Sequence, residues 1–378
     1  MSLVVDAHRE YLADPARLSA FSRAIQEVVK PGDVVVDLGA GTGILGLLAC
    51  RAGARKVYAI DAGGMIELAR AVCRANGFAD RVEFLKEHST RATLPERADV
   101  VVADQIGRFG FEAGVLQFFA DARARLLKPG GATIPSSVDL YVAPVECPDL
   151  YAQVEFWNTA PGGFDFKPAR KWAANTGYPA KLRGEQLLGE PAAGLSLDLS
   201  QPTLGKLELA ASVAVTREGT LHGIGGWFSA RLSPSVVMTN SPLDAAPINR
   251  RNVFFPIDRP LSVAPGDQVK VDMRILPRDT MVTWQVELWR EGARQARFSH
   301  STFHGMLLSA EDLRRTRPGH IPKLTPWGEA RLTVLMLCDG QRSVAEVEAE
   351  LQRRHPELFR TAAEAAEFAA EVITRYSA

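Results

Sequence analysis

Cysteine is scarce in this chain. Cys50, Cys73, Cys147 and Cys338 are its only four in 378 residues, and none of them forms a C-x-x-C pair. That pattern argues against both a zinc site and a disulfide framework, so no metal is expected and the cytoplasm is the expected compartment. An excess of charge is absent too. The 44 Lys and Arg residues balance 44 Asp and Glu residues, which leaves no global attraction to nucleic acid or to an anionic membrane. No apolar run approaches a membrane-spanning length, and the opening MSLVVDAHREYLAD has no basic segment leading into an apolar one, so neither a membrane anchor nor secretion is expected. What remains is a chain 46% hydrophobic and 23% charged, long enough for two or three cores.

The rest of the chain is organised around residues 34–50, VVVDLGAGTGILGLLAC. They read as a buried strand, a tight turn and the start of a helix. Gly39, Gly41 and Gly43 let the backbone turn sharply and approach a ligand with no Cβ in the way. The spacing is G-x-G-x-G, with Ile44 where a dinucleotide fingerprint needs its third glycine. An ordinary glycine turn of an α/β protein reads the same way. The next strand, KVYAI, ends at Asp61, about eighteen residues past Gly43; there a doubly wound sheet places a carboxylate beside a ribose diol. Asp61 also suits the N-cap of the helix that starts near Met65.

In chain order, the first thirty residues predict a helix with apolar Leu12, Leu18, Phe21, Ile25 and Val28, capped at Asp14-Pro15, on which His8 and Arg17 read as surface residues. Residues 33–142 alternate strands and helices, the pattern of a doubly wound, Rossmann-like α/β sheet. Ligands of such sheets lie beyond the carboxyl ends of the strands, so Asp37, Asp61, the turn Glu87-His88-Ser89 and Asp104 are expected to converge. The loop that follows, DQIGRFGFEAG, carries a second acid, Glu112. Past Pro144 short alternating strands predict a β-barrel-like domain, and from Gly319 three amphipathic helices follow, with Leu332, Leu335, Met336 and Leu337 apolar in the first. The expected division is 1–144, 145–308 and 319–378.

The run D-L-G-A-G-T-G resembles motif I of class I S-adenosylmethionine (SAM) methyltransferases, whose sulfonium Asp37 would suit. Over roughly residues 8–305 the chain resembles the protein arginine methyltransferase family, on HREYLADPAR, KVYAID, FWNTAPGGFDF, HGIGGWFSARL and RRNVFFPI. The resemblance implies a SAM cofactor held by His8, Arg17, Asp37, Gly39, Gly41, Gly43, Asp61, Glu87, His88 and Ser89, with Arg17 on its carboxylate. It also implies a homodimer docked through the FWNTAPGGFDF arm. The family holds its acceptor guanidinium between two glutamates. Here Asp104 stands for the first, Gln105 replaces a tryptophan, and Glu112 falls one residue short of the second; Pro247, Ile248 and Asn249 replace the family's threonine-histidine-tryptophan. Asp104 and Glu112 are the catalytic candidates. Their plain alternatives are a backbone-bonded loop residue for Asp104 and an acid at the start of the next helix for Glu112.

The C-terminal PKLTPWGEARLTVLMLCDGQRSVAEVEAEL is similar to PqqD-like peptide-binding domains; a helical cap is the alternative. The expected activity is SAM-dependent methyl transfer to a nitrogen of a peptide, a protein side chain or an amino-acid-like substrate. O- or C-methylation on the same fold, or a non-catalytic scaffold, are the alternatives.

Overall fold

The computed structural model describes residues 4–377, which form two compact units, one ending at Leu307 and the other starting at Leu308. In the larger unit two helices lead the chain: α1 (Val4–Leu12) and α2 (Pro15–Val28). Asp14 caps α2, accepting from the Arg17 amide, with Pro15 at the first helical position, where its missing N–H costs nothing.

Next come β1 (Val34–Leu38), α3 (Ile44–Ala52), β2 (Lys56–Ile60), α4 (Met65–Ala75), β3 (Val82–Leu85), β4 (Ala98–Ala103), α5 (Val115–Arg125) and β5 (Leu127–Ile134). The five strands are parallel, in the order β3-β2-β1-β4-β5. All of β1 is buried, as expected of a strand covered by helices on both faces. The chain runs outward from β1 to β3 and then returns to β4, so the switch point lies between β1 and β4. Leu38 pairs with Ile60 on one side and Ala103 on the other. The residues that follow these three, Gly39, Asp61 and Asp104, therefore leave the sheet at one edge.

The run 132–143, which reads as one strand in the sequence, is divided at Pro135 and Ser136. Its first part ends β5, and its second opens an antiparallel domain with β6 (Ser137–Val145), ahead of the boundary expected at 145. Then follow α6 (Pro148–Glu155), α7 (Arg170–Ala173), β7 (Tyr178–Ala180), β8 (Ala192–Asp198), β9 (Leu207–Ala214), β10 (Gly219–Arg231), β11 (Val237–Thr239), β12 (Asn252–Val263), β13 (Gln268–Leu276), β14 (Met281–Arg290) and β15 (Ala293–Ser301). One sheet runs β7-β12-β10-β6-β8, with β11 on β10; the other runs β15-β14-β13-β9. Alternate residues of β13, Val269, Val271, Met273 and Ile275, are buried between the two. The hydrophobic core is continuous from the parallel sheet into these sheets.

The smaller unit contains α8 (Ala310–Arg315), α9 (Pro326–Leu337), α10 (Val344–Arg354) and α11 (Ala362–Tyr376). Ser343 with Glu346 and Thr361 with Glu364 form capping boxes on α10 and α11. Its core is Ala330, Val334, Leu337, Val347, Leu351, Phe359, Ala365, Ala369 and Val372. Of the four apolar residues named on α9 only Leu337 is buried; Leu332, Leu335 and Met336 are exposed, and Ala330, Thr333, Val334 and Leu337 form the inner face.

Candidate active site

The glycine turn closes the end of β1. The amides of Gly39 and Ala40 both donate to the Ile60 carbonyl, at 2.9 and 3.0 Å. Gly39 and Gly41 have φ of +67° and +53°, which disfavours any side chain. They also lie under close neighbours: a Cβ on Gly39 would stand 2.2 Å from Gln105 Nε2, and one on Gly41 2.7 Å from His8 Cε1. His8 therefore sits against the turn. Asp61 holds this turn together. One of its oxygens accepts from the Gly41 amide at 2.8 Å, the other from the Gly63 amide at 2.7 Å.

Asp37 lies beneath the turn, fully buried. One oxygen accepts from the Gly46 amide at 2.9 Å, and Oδ1 has no partner among the described residues. Burial pushes its carboxyl up to about 7, against the Gly46 hydrogen bond. The expected anionic partner of a sulfonium is thus an acid that burial keeps largely protonated below neutral pH. The Glu87-His88-Ser89 turn follows β3, and it is held by local hydrogen bonds and by Arg125 of α5. Glu87 accepts from the His88 amide at 2.6 Å and from Arg91, His88 meets Thr90 at 2.7 Å, and the Ser89 carbonyl accepts from Arg125 at 2.7 Å. None of these bonds joins the turn to the glycine loop or to Asp104.

Asp104 is shared by two arginines. Its side chain is 8% exposed and accepts from Arg17 Nε at 2.6 Å. The same carboxylate takes a two-pronged contact from Arg250, Nη1 to Oδ1 at 3.0 Å and Nη2 to Oδ2 at 2.8 Å. Burial pushes the Asp104 carboxyl up, but the charges and hydrogen bonds of Arg250 and Arg17 outweigh it and hold the group below the ordinary range. Its partners are side chains, so it is not a backbone-bonded loop residue. Nor is Arg17 a surface residue: its side chain is 7% exposed, packed over the Tyr11 and Phe21 rings.

Glu112 is near enough for its charge to act on Arg250, but its oxygens are taken by its own loop. It accepts from the amides of Arg108, Phe109 and Phe111, the last two at 2.9 and 3.3 Å. It therefore braces its own loop, and α5 is capped two residues later at Gly114. None of these hydrogen bonds joins Glu112 to Arg17 or Arg250, the partners of Asp104.

Three residues of this site escaped sequence reasoning. Arg250 lies 146 residues from Asp104. Buried Asn240 donates to the carbonyls of Arg108 and Arg251, at 2.9 and 3.0 Å, tying the acid loop to the segment that carries Arg250. Asn252 donates to the Asn240 carbonyl at 2.6 Å. The pair Arg250-Arg251 beside the altered 247–249 segment is the one local signal for them.

A family model for the arginine methyltransferase oligomerization subdomain matches residues 136–291, and one for the ribosomal protein L11 methyltransferase (PrmA) matches residues 21–138. Protein arginine N-methyltransferase 6 of Danio rerio is 30% identical over 292 residues, covering 73% of this chain and 83% of that protein. The chain belongs to the protein arginine methyltransferase family. The probable protein arginine N-methyltransferase 6 of Arabidopsis thaliana is 28% identical over 289 residues, 74% of this chain and 64% of that one. Among solved structures, the Trypanosoma brucei PRMT1 enzyme-prozyme complex superposes with a TM-score of 0.69 at 20% identity, and Arabidopsis thaliana protein arginine methyltransferase 10 with 0.68 at 23%. Each covers 78% of this chain and 97% of its own, and at that identity they establish the fold.

As a family member, this arginine methyltransferase homologue is a SAM-dependent enzyme that methylates a side-chain nitrogen. The O-methyl, C-methyl and scaffold readings give way to that. Its cradle fits the cofactor. Two left-handed glycines form a surface that a Cβ would fill, Asp61 stands at the end of β2, and a buried polar atom, Asp37 Oδ1, lies beneath the turn with no partner among the described residues.

Proposed function

We propose that the enzyme methylates the guanidinium nitrogen of arginine in a peptide or protein. One observation carries the reading: the Asp104 carboxylate at the strand edge already binds one guanidinium, that of Arg250, in the bidentate geometry that a carboxylate offers a planar fork. The relatives named above are protein arginine N-methyltransferases, and the trypanosomal complex contains AdoHcy, which supports the same cofactor here.

In this reading His8, Arg17, Gly39, Gly41, Gly43 and Asp61 hold the cofactor, with Arg17 on its carboxylate. When bound, S-adenosylmethionine supplies a methyl group on a sulfonium whose sulfur leaves as a neutral thioether once the new N–CH₃ bond forms. Asp104 orients the acceptor N–H groups and balances their positive charge, which aims one nitrogen for in-line attack. Held below the ordinary carboxylate range it is a weak base, so the proton lost from the methylated nitrogen passes to water. Glu112 shapes the loop that carries Asp104. Arginine peptides incubated with enzyme and SAM should gain methyl groups by mass spectrometry, whereas matched lysine peptides should not; the reverse selectivity would defeat the reading.

The same proposal covers assembly and substrate delivery. The segment after α6 carries Phe156, Phe164 and Phe166, which are 50%, 72% and 41% exposed. That supports its use as the arm of a homodimer. We further infer that the helical unit from Leu308 on serves as a PqqD-like peptide-binding module, supported by the outward Leu332, Leu335 and Met336 of α9. The cytoplasm is the proposed compartment. The free thiols of Cys50, Cys73, Cys147 and Cys338 support it. No helix among the described residues is long and apolar enough to cross a membrane.

A further inference from the structure

Two guanidinium groups share one buried carboxylate in this site, and they are held unequally. Arg17 has Asp104 at 2.6 Å and the Tyr11 carbonyl at 3.2 Å, and it starts from α2, whose cap is fixed by Asp14. Arg250 has the Asp104 fork and the Gly107 carbonyl at 3.4 Å, with the Tyr11 and Phe228 rings each 5.9 Å from its Cζ. Its side chain is 12% exposed against 7% for Arg17. In the proposed complex Arg17 is answered by the cofactor's carboxylate, and the nearby acid, Glu112, is engaged by its own loop amides, which leaves the Asp104 fork to one guanidinium. Arg250 is thus the cation whose contacts, a planar fork on Asp104, an incoming guanidinium can replace one for one. Meanwhile Asn240, bonded to the carbonyls of both Arg108 and Arg251, keeps its backbone beside the acid loop whether or not the side chain is docked.

We propose that Arg250 is a tethered stand-in for the acceptor guanidinium, and that its exchange with the incoming arginine sets acceptor specificity. This rests on the reading of arginine as acceptor. Exchange of one planar fork for another restores both hydrogen bonds to Asp104 and releases Arg250 to water. A lysine ammonium, a point charge without the fork, restores one bond and leaves the exchange incomplete. Because Arg250 is tethered, it competes at a high effective concentration, and the acceptor's apparent affinity falls by the fraction of time that the carboxylate is free.

The test is calorimetric titration of an arginine peptide, and of its lysine counterpart, into enzyme saturated with S-adenosylhomocysteine. Arg250→Met should bind the arginine peptide about tenfold more tightly and narrow the gap to the lysine peptide, with a matching fall in KM. Arg250→Lys, which keeps a cation on Asp104 if the methionine variant fails to fold, should gain less. The exposed neighbour Arg251→Met should match wild type. If Arg250 were only a structural brace, Arg250→Met would bind the arginine peptide no better or more weakly while keeping its cofactor affinity, and that result overturns the exchange alone. Failure of wild type and every variant to bind the arginine peptide overturns the acceptor reading and the exchange with it.

Discussion

The turn after β1 and the loop after β4 leave the same edge of one sheet, but they are built by different means. Backbone makes the first: left-handed glycines, amides bonded to the Ile60 carbonyl, and Asp61 tying Gly41 to Gly63. Side chains brought from far along the chain make the second, with Asp104 held by Arg17 and by Arg250. Their buried acids differ accordingly. Asp37, alone under the turn, is pushed up to about 7, whereas Asp104 between two arginines is held below the ordinary range. Burial acts on both, and the neighbouring charges decide the sign.

Substitutions can break that contrast from either side. The largest effect is expected from Asp104→Asn, which leaves two buried guanidinium groups uncompensated; breaking such a pair costs about 3–5 kcal/mol, readable by denaturant unfolding. On the backbone side, Gly41→Val places a β-branched residue at φ of +53° against the His8 ring. Strain of about 1–3 kcal/mol should weaken S-adenosylhomocysteine binding by up to about a hundredfold in calorimetry.

The pH dependence sharpens the contrast. A carboxyl raised to about 7 in the fold binds its proton more tightly there than in the unfolded chain, so Asp37 lowers stability as pH rises from about 4 to about 7. Asp104 has the opposite sign: its contribution is present above the ordinary carboxylate value and is lost as pH falls through its lowered one. Asp37→Asn should therefore gain about 2–3 kcal/mol relative to wild type between pH 5 and pH 8. A stability difference independent of pH would refute the assignment. The smallest effect belongs to Glu112→Gln, which keeps one oxygen for the loop amides. It should cost less than about tenfold in kcat/KM, whereas a hundredfold loss would restore Glu112 to a working pincer.

The contrast also explains what the sequence made legible. Elements whose logic is local were readable: the apolar run of β1, the glycine spacing, the acid at the end of β2, and Asp14-Pro15 at the start of α2. The strand register then delivers Gly39, Asp61 and Asp104 to one edge without further information. Arg250 was not readable, because its pairing with Asp104 spans two domains and depends on how β10 and β12 close on the acid loop through Asn240. Glu112 misled for a related reason. An acid near a glycine-rich loop satisfies an acceptor cation or its own backbone amides equally well, and only the folded loop decides between them. On α9, apolar residues occur all round the helix, so periodicity alone left the inner face undetermined.

The most direct test of the account is a single-turnover reaction with a peptide whose arginine carries ¹⁵N in the guanidinium, followed by mass spectrometry and NMR for wild type, Asp104→Asn and Asp104→Glu. The account predicts methyl on a labelled nitrogen with wild type, none with Asp104→Asn at retained S-adenosylhomocysteine affinity, and recovery with Asp104→Glu, which restores the carboxylate. Methyl transfer by Asp104→Asn at the wild-type rate, or a methyl group on any other atom of the peptide, would contradict it.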